Sequence, residues 1–159
     1  MTDLLYAGGN NIAGLFLVRC APVAGILTLP LPAPAGPLTV SGAPTFRTGF
    51  GFVSIYGTEA TKAYEENMDE SDNGEVWSVK LSLFHPSDSP AVRTSLRQMA
   101  RHRFLLECQD NTGLWRRAGT KEQSMALTYR FEIDADAGGR RGYRLNFAGS
   151  MTAPPAFIN

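Results

Sequence analysis

The sequence predicts a mainly β domain, an antiparallel β-sandwich or barrel with one short α-helix at about 89–102. Three observations carry this. Met125, Leu127, Tyr129, Phe131 and Ile133 alternate with polar or small neighbours, and after the 137-AGGRRG-142 turn Tyr143, Leu145 and Phe147 do the same, the pattern of a half-buried antiparallel hairpin. In 75-EVWSVKLSLF-84 the side chains of Trp77, Val79, Leu81 and Leu83 fall on one face of a strand. Helix signals concentrate in one place, with Ser89 as cap, Pro90 at the first helical position, and Val92, Leu96, Met99 and Arg103 at helical spacing.

The remaining elements follow in chain order. The segment 10-NNIAGLFLVRC-20 reads as a turn into a buried strand, with Ile12, Leu15, Phe16, Leu17 and Val18 nearly continuous in apolar character. In 22-PVAGILTLPLPAPAGPLTV-40, Ile26, Leu27 and Leu29 suit a strand, but the prolines restrict it to an edge, and an extended proline-rich segment at about 30–44 follows. An SH3-type ligand is the functional alternative for that run. From Thr45 to Tyr64 the aromatic and β-branched residues read as one strand bent at Gly49 and Gly51. An acidic loop, 65-EENMDESDNGE-75, then joins it to the Trp77 strand. In 104-FLLECQDNTGLWRRAGT-120, Phe104, Leu106 and Cys108 share one strand face, Asp110 to Gly113 turn, and Trp115, Arg116 and Arg117 are left toward solvent or a neighbour. The tail 150–159 carries Phe157 and Ile158 and reads as extended, docking on its own sheet or on a neighbour.

A chain of 159 residues fits a single domain, 1–159. Hydrophobic residues at 43% and charged ones at 19% supply a core and exclude a disordered chain. Formal charge is zero, yet residues 1–88 carry a net of −5 and residues 89–159 a net of +5. Such asymmetry speaks to association. The apolar run from Ala21 to Pro37 is broken by five prolines and no basic, then apolar, leader precedes it, so the chain is expected to be intracellular and soluble when made, without a membrane partner.

Chemistry was sought residue by residue. Asp69, Ser71, Asn73 and Gly74 match the start of a calcium loop, but its twelfth position, where a bidentate Glu closes the coordination, is Lys80. Cys108 with His102 or His85 is the one nucleophile and base pairing to weigh, and Cys108 points toward the core, where a thiol is inert. Two His and two unclustered Cys show no zinc spacing, and no phosphate-cradling glycine motif occurs. No catalytic residue and no cofactor is therefore expected. Arg140 and Arg141, with Arg93, Arg97, Arg101, Arg116 and Arg117, make a basic surface on a domain of neutral overall charge, which argues against a dedicated nucleic-acid binder.

The stretch 81-LSLFHPSDSPAVRTSLRQMARHRFLLECQDNTGLWRRAGT-120 resembles the strand, helix and hairpin of tail-tube-type proteins of double-stranded DNA phages and prophages, and 143-YRLNFAGSMTAPPAF-157 resembles their closing strand. The resemblance spans roughly residues 45–157 and rests on turn and alternation patterns. It implies a non-enzymatic virion structural protein, made in the host cytoplasm: a ring-forming tail tube or neck (head-tail connector, adaptor) subunit. Its rings would be hexameric, would contact other tail or neck proteins, and would let DNA pass non-specifically through their channel. The proline-rich segment departs from a simple tube subunit and reads as an arm toward a neighbour. The assembly surface expected from the residues is Arg93, Arg97, Arg101, Arg116 and Arg117 against Glu65, Glu66, Asp69 and Glu70, with Phe157 and Ile158 in a docking tail. A small-molecule-binding β-barrel is the alternative, with an unrecognised enzyme behind it.

Overall fold

A computed structural model describes residues 12–33, 36–72, 74–136 and 138–159. The expected turn at Asn10–Asn11, and the residues Pro34, Asn73 and Ala137, lie outside the described residues.

The described residues form twelve strands and one α-helix: β1 (Leu15–Pro22), β2 (Ile26–Thr28), β3 (Thr39–Val40), β4 (Thr45–Phe46), β5 (Val53–Ser54), β6 (Ala63–Ser71), β7 (Gly74–His85), α1 (Pro90–Met99), β8 (Arg103–Asp110), β9 (Trp115–Ala118), β10 (Met125–Ile133), β11 (Arg141–Met151) and β12 (Ala156–Ile158). This is the predicted mainly β sandwich with one short helix. One layer runs β5-β1-β8-β9-β12-β3 and the other β6-β7-β11-β10. They are joined where the first two residues of β8 pair with Met125 and Ala126, while the rest of that edge of β8 pairs with β9. All these pairings are antiparallel except β12 with β3, which is parallel. A separate ribbon of β2 and β4 completes the structure.

Between the layers lie Val18 and Cys20 of β1, Phe104, Leu106 and Cys108 of β8, Val79, Leu81 and Leu83 of β7, and Tyr143, Leu145 and Phe147 of β11. Phe104 meets Phe147 edge to face, ring centroids 5.6 Å apart, a favoured geometry for aromatic pairs. The β10–β11 register runs from Ala126 opposite Ala148 to Ile133 opposite Arg141, as the alternation predicts. Helix α1 begins at the Ser89 cap, whose hydroxyl accepts from the Val92 amide at 3.2 Å, and it buries Leu96. It is shorter than the expected 89–102, ending at Met99.

Five expectations change. The stretch 45–64 is not one strand: Gly49 takes φ 84°, the chain leaves the sheet, and only β4, β5 and the first residues of β6 remain. The acidic segment 65–75 is not a loop but most of β6 and the start of β7, turning between Ser71 and Gly74. Phe16, expected to be buried, is 66% exposed, because the β1–β8 register shifts between Leu15 and Leu17: strict alternation would set Phe16 on the core face with Val18 and Cys20, and the irregularity turns Leu15 inward and Phe16 out. Ile133 is exposed as well, lying at the free end of β10.

The fifth concerns the proline-rich arm, expected to reach a neighbour: its β3 pairs with β12 of the same chain. The tail docks on its own sheet through β12 and β9, one of the two places expected for it. Residues 23–33 and 36–52 fold over the outer side of β8. The cover fits closely: a Cβ on Gly25 would stand 2.2 Å from the Phe50 ring. Consequently Leu105 and Glu107, which alternation assigns to solvent, are fully buried. A Gly25→Ala change is expected to loosen this cover, seen as faster proteolysis within residues 23–52 while the sandwich core stays protected.

Candidate functional site

Under that cover is a buried ion cluster that alternation alone does not reveal. Glu107 accepts from Arg19 Nε at 2.8 Å and Nη2 at 2.6 Å through one oxygen, and from Arg117 Nε at 2.8 Å through the other. Arg117 also donates to the carbonyls of Pro30 at 3.2 Å and Gly42 at 3.3 Å, so it ties the proline-rich segment down. Arg19 is sandwiched between the Phe52 and Trp115 rings, 4.5 and 4.6 Å from their centroids. The signal available in the sequence was a lone charge inside an apolar run in two strands, Arg19 in β1 and Glu107 in β8; Arg117, beside Arg116 in the short β9, carried none. Arg117 is only 4% exposed and fully engaged, so it is withdrawn from the expected contact surface.

Arg116, its neighbour, points the other way. It pairs with Asp110 at 2.6 Å and lies over the Phe157 ring at 5.0 Å. Burial alone would raise the Asp110 carboxyl, but bonds from the Thr112 hydroxyl, Arg116 and the backbone amides of Leu114 and Thr112 outweigh it and hold the pKa at about 2. A carboxyl depressed on folding stabilises the fold above its unfolded pKa of about 3.9, and that contribution is lost as pH falls toward about 2. Asp110→Asn is therefore expected to flatten the stability profile between those limits, read from urea midpoints across that range, with no change in slope near neutrality.

An open cleft of about 620 Å³ separates β6 from the β9–β12 edge, lined among others by Lys62, Tyr64, Glu66, Asp110, Arg116 and Phe157. The Tyr64 hydroxyl is buried there without a hydrogen-bond partner. Burial first, and the nearby Glu66 carboxylate second, push its pKa above the ordinary range. Neither thiol is suited to nucleophilic chemistry: burial pushes both Cys20 and Cys108 up to about 12, so the thiolate is scarce at neutral pH. His85 Nδ1 lies 3.0 Å from the Tyr56 carbonyl, and His102 is exposed beyond α1. Among the described residues no group of three or more His, Cys, Asp or Glu is placed to hold a metal ion.

The other expected surface residues separate into two places. Arg93 donates to the Tyr143 hydroxyl at 3.1 Å, sits 3.7 Å from Asp88, and covers Phe131. Arg97 and Arg101 continue the same exposed stripe and take part in no ion pair among the described residues. Glu65, Glu66, Asp69 and Glu70 lie on β6, an outermost strand of its layer, with Glu65 opposite Lys80 in register. The structure does not bring the arginine stripe and these acids together. Phe157 and Ile158 are in β12, Phe157 at 37% exposure.

Neither the protein-family models, nor the curated proteins, nor the solved structures contain a match to this chain. Among the described residues no helix is long and apolar enough to cross a membrane.

Proposed function

We propose that this chain is a non-enzymatic structural subunit that assembles into rings, of the tail-tube or neck kind found in phage tail modules. The observation that carries the reading is an apolar rim on the outside of the β1–β5 edge. Phe16 and Tyr56 are each 66% exposed, and Ile12 and Val53 each 53%. Phe16 and Tyr56 line an open groove of about 980 Å³ running from Ala13 to Val18 and from Ser54 to Ala60. Single exposed apolar residues are ordinary, but several gathered beside one groove mark an interface. β5 is two residues long, and beyond it the edge of β1 is met by the Ile55 amide, which donates to the Val18 carbonyl, and by Lys62 Nζ, which donates to the Phe16 carbonyl, so a partner would meet side chains there and not a free strand edge. Ring hexamers made in the host cytoplasm and incorporated into a virion, with other tail or neck proteins as neighbours, are the form the sequence resemblance gives to this assembly.

Sedimentation and negative-stain microscopy of the full chain test the reading. Rings of defined subunit number are expected, and Phe16→Asp together with Tyr56→Asp should reduce them to monomers that retain the same unfolding midpoint. A wild-type chain that stays monomeric at high concentration and low salt would overturn it. A second reading, a small-ligand site, is favoured by the unpartnered Tyr64 hydroxyl in the cleft beside Arg116. Saturable binding abolished by Tyr64→Phe in a monomeric protein is the result that would prefer it.

A further inference from the structure

The β6–β7 ribbon holds a repulsion that the fold does not relieve. Glu70 stands directly opposite Glu75 in the register, with Asp69 and Asp72 beside them. Like charges in directly opposed positions destabilise a strand pair. The protein contains the same problem with the opposite sign and solves it: Arg130 faces Arg144 across β10 and β11, and Glu132 bonds to both. Between Ala63 and Val79 the sequence has no Lys or Arg. Among the described residues the Glu75 carboxylate receives only a long 3.4 Å contact from Trp77 Nε1. Beside these acids Met68 is 50% exposed, on the face that carries Glu70.

The complementary surface is at the other end of the same strand. β7 is 12 residues long, so its Gly74 and His85 ends stand ~36 Å apart at ~3.3 Å per residue. At the His85 end sit Tyr143 and Phe131, in register across β7, β11 and β10, and α1 packs on them through Arg93. The outer side of α1 presents Arg93 and Arg97, with Arg101 in the turn just after it, Arg140 just before β11 and Arg141 at its start. Three acids share this end, but Asp88 is taken by Arg93 and Arg141, and Asp134 is bonded to the Arg140 amide. Asp136 is the third, and the balance stays positive. Exposed Ile133, opposite Arg141, supplies an apolar side chain here as Met68 does at the acidic end.

We propose that the acidic β6–β7 turn of one copy docks on the α1 arginine stripe of the next, a head-to-tail contact between copies of this chain. It deepens the assembly reading above and rests on it. The same two patches cannot meet within one molecule, because they occupy opposite ends of β7. A contact between two different patches does not close on itself as a dimer, so it propagates from copy to copy.

Two variants of the full chain test this: Asp69→Lys with Glu70→Lys, and Arg97→Glu with Arg101→Glu. Each places like charges at the contact, which should weaken self-association at low salt by ~10-fold or more, without altering circular dichroism or the unfolding midpoint. Mixed in equal amounts, the two variants present opposite charges to each other at every contact and should associate again, as alternating copies. Wild-type association should fall as salt is raised. Variants that associate as the wild type does, or a mixture that fails to recover, overturn the proposal. If both variants still self-associate and the helix variant alone loses duplex DNA, the stripe belongs to nucleic acid and the proposal is likewise overturned. Microscopy separates this from the ring reading. Rings indifferent to both variants sink the contact and leave the rings standing, whereas open chains that respond to the variants as described support the contact and remove the rings.

Discussion

Glu107→Ala is expected to destabilise the protein by about 3–5 kcal/mol, the usual cost of removing one partner from a buried ion pair. The carboxylate is fully buried and answers two guanidinium groups, and Arg117 is itself only 4% exposed. Without Glu107, Arg117 keeps the carbonyls of Pro30 and Gly42 but no counter-charge. Arg19, 37% exposed, can turn toward water, so most of the penalty falls on Arg117. For a denaturant slope near ~2 kcal/mol/M, the urea midpoint should drop by roughly 2 M. The damage should be local at first, with residues 30–44 becoming sensitive to protease before the sandwich unfolds. Replacing all three charges together, as Arg19→Met, Glu107→Leu and Arg117→Met, should recover much of the loss, since well-packed apolar groups often substitute for a buried charge cluster. A Glu107→Ala protein within ~1 kcal/mol of wild type would refute this account of how the cover is held.

Phe147→Ala should cost about as much, ~3–5 kcal/mol, by a different route. Phe147 is completely buried at the seam of the two layers and meets Phe104 edge to face. Truncation leaves a cavity bounded by β-strands on both sides, and strands fixed by ladder hydrogen bonds on each edge collapse into it poorly. The edge-to-face contact adds ~0.5–1.5 kcal/mol, separable by a double-mutant cycle with Phe104→Leu. Phe16→Ala is the control: an equally large ring on a strand of the same sandwich, but 66% exposed, so its removal should change the midpoint little and the oligomeric state much. If the two truncations proved equally destabilising, the layer assignment would be wrong.

These contrasts show which parts of the structure were legible in the residues. Strict alternation in 125–133 and 143–147 fixed a hairpin whose register could be read without coordinates, because one face of each strand is buried and a slip of one residue would invert it. The Ser89-Pro90 start of α1 was legible for an equally local reason, a cap bond between neighbours. What escaped was decided at long range. Glu107 alternates with Leu106 and Cys108 and so reads as solvent-facing. It is buried only because a segment some seventy residues earlier folds over it, and no local periodicity records that. Phe16 errs in the opposite direction: an unbroken apolar run suggested burial, but an irregularity between Leu15 and Leu17 turns Phe16 off the core face that Val18 and Cys20 share, and composition carries no mark of it. Of the expected site, Arg93 and Arg97 lie on the exposed side of α1 as the helix signals implied, whereas the acids expected in a loop stand on strand β6, because their pairing with β7 is not written in their local composition. Arg117 is not on the surface expected for it, because its direction depends on β9 pairing with β8 in one register.

The branching of β8 bears on the order in which the protein can be made. β8 is the common neighbour of β1, β9 and β10, and it is reached only after two-thirds of the chain has been synthesised. Until then β1 and β5 have only each other, and their apolar side chains, with those of β7, have no opposite layer. A nascent chain leaving the ribosome should thus stay unfolded, and hungry for chaperones, until β8 and then β11, through Met151, have cleared the exit tunnel, and then condense in one late step dominated by distant pairings. Truncated chains ending before Arg103 should be insoluble, whereas arresting translation beyond Asn159 on a long linker should yield a folded domain still tethered to the ribosome.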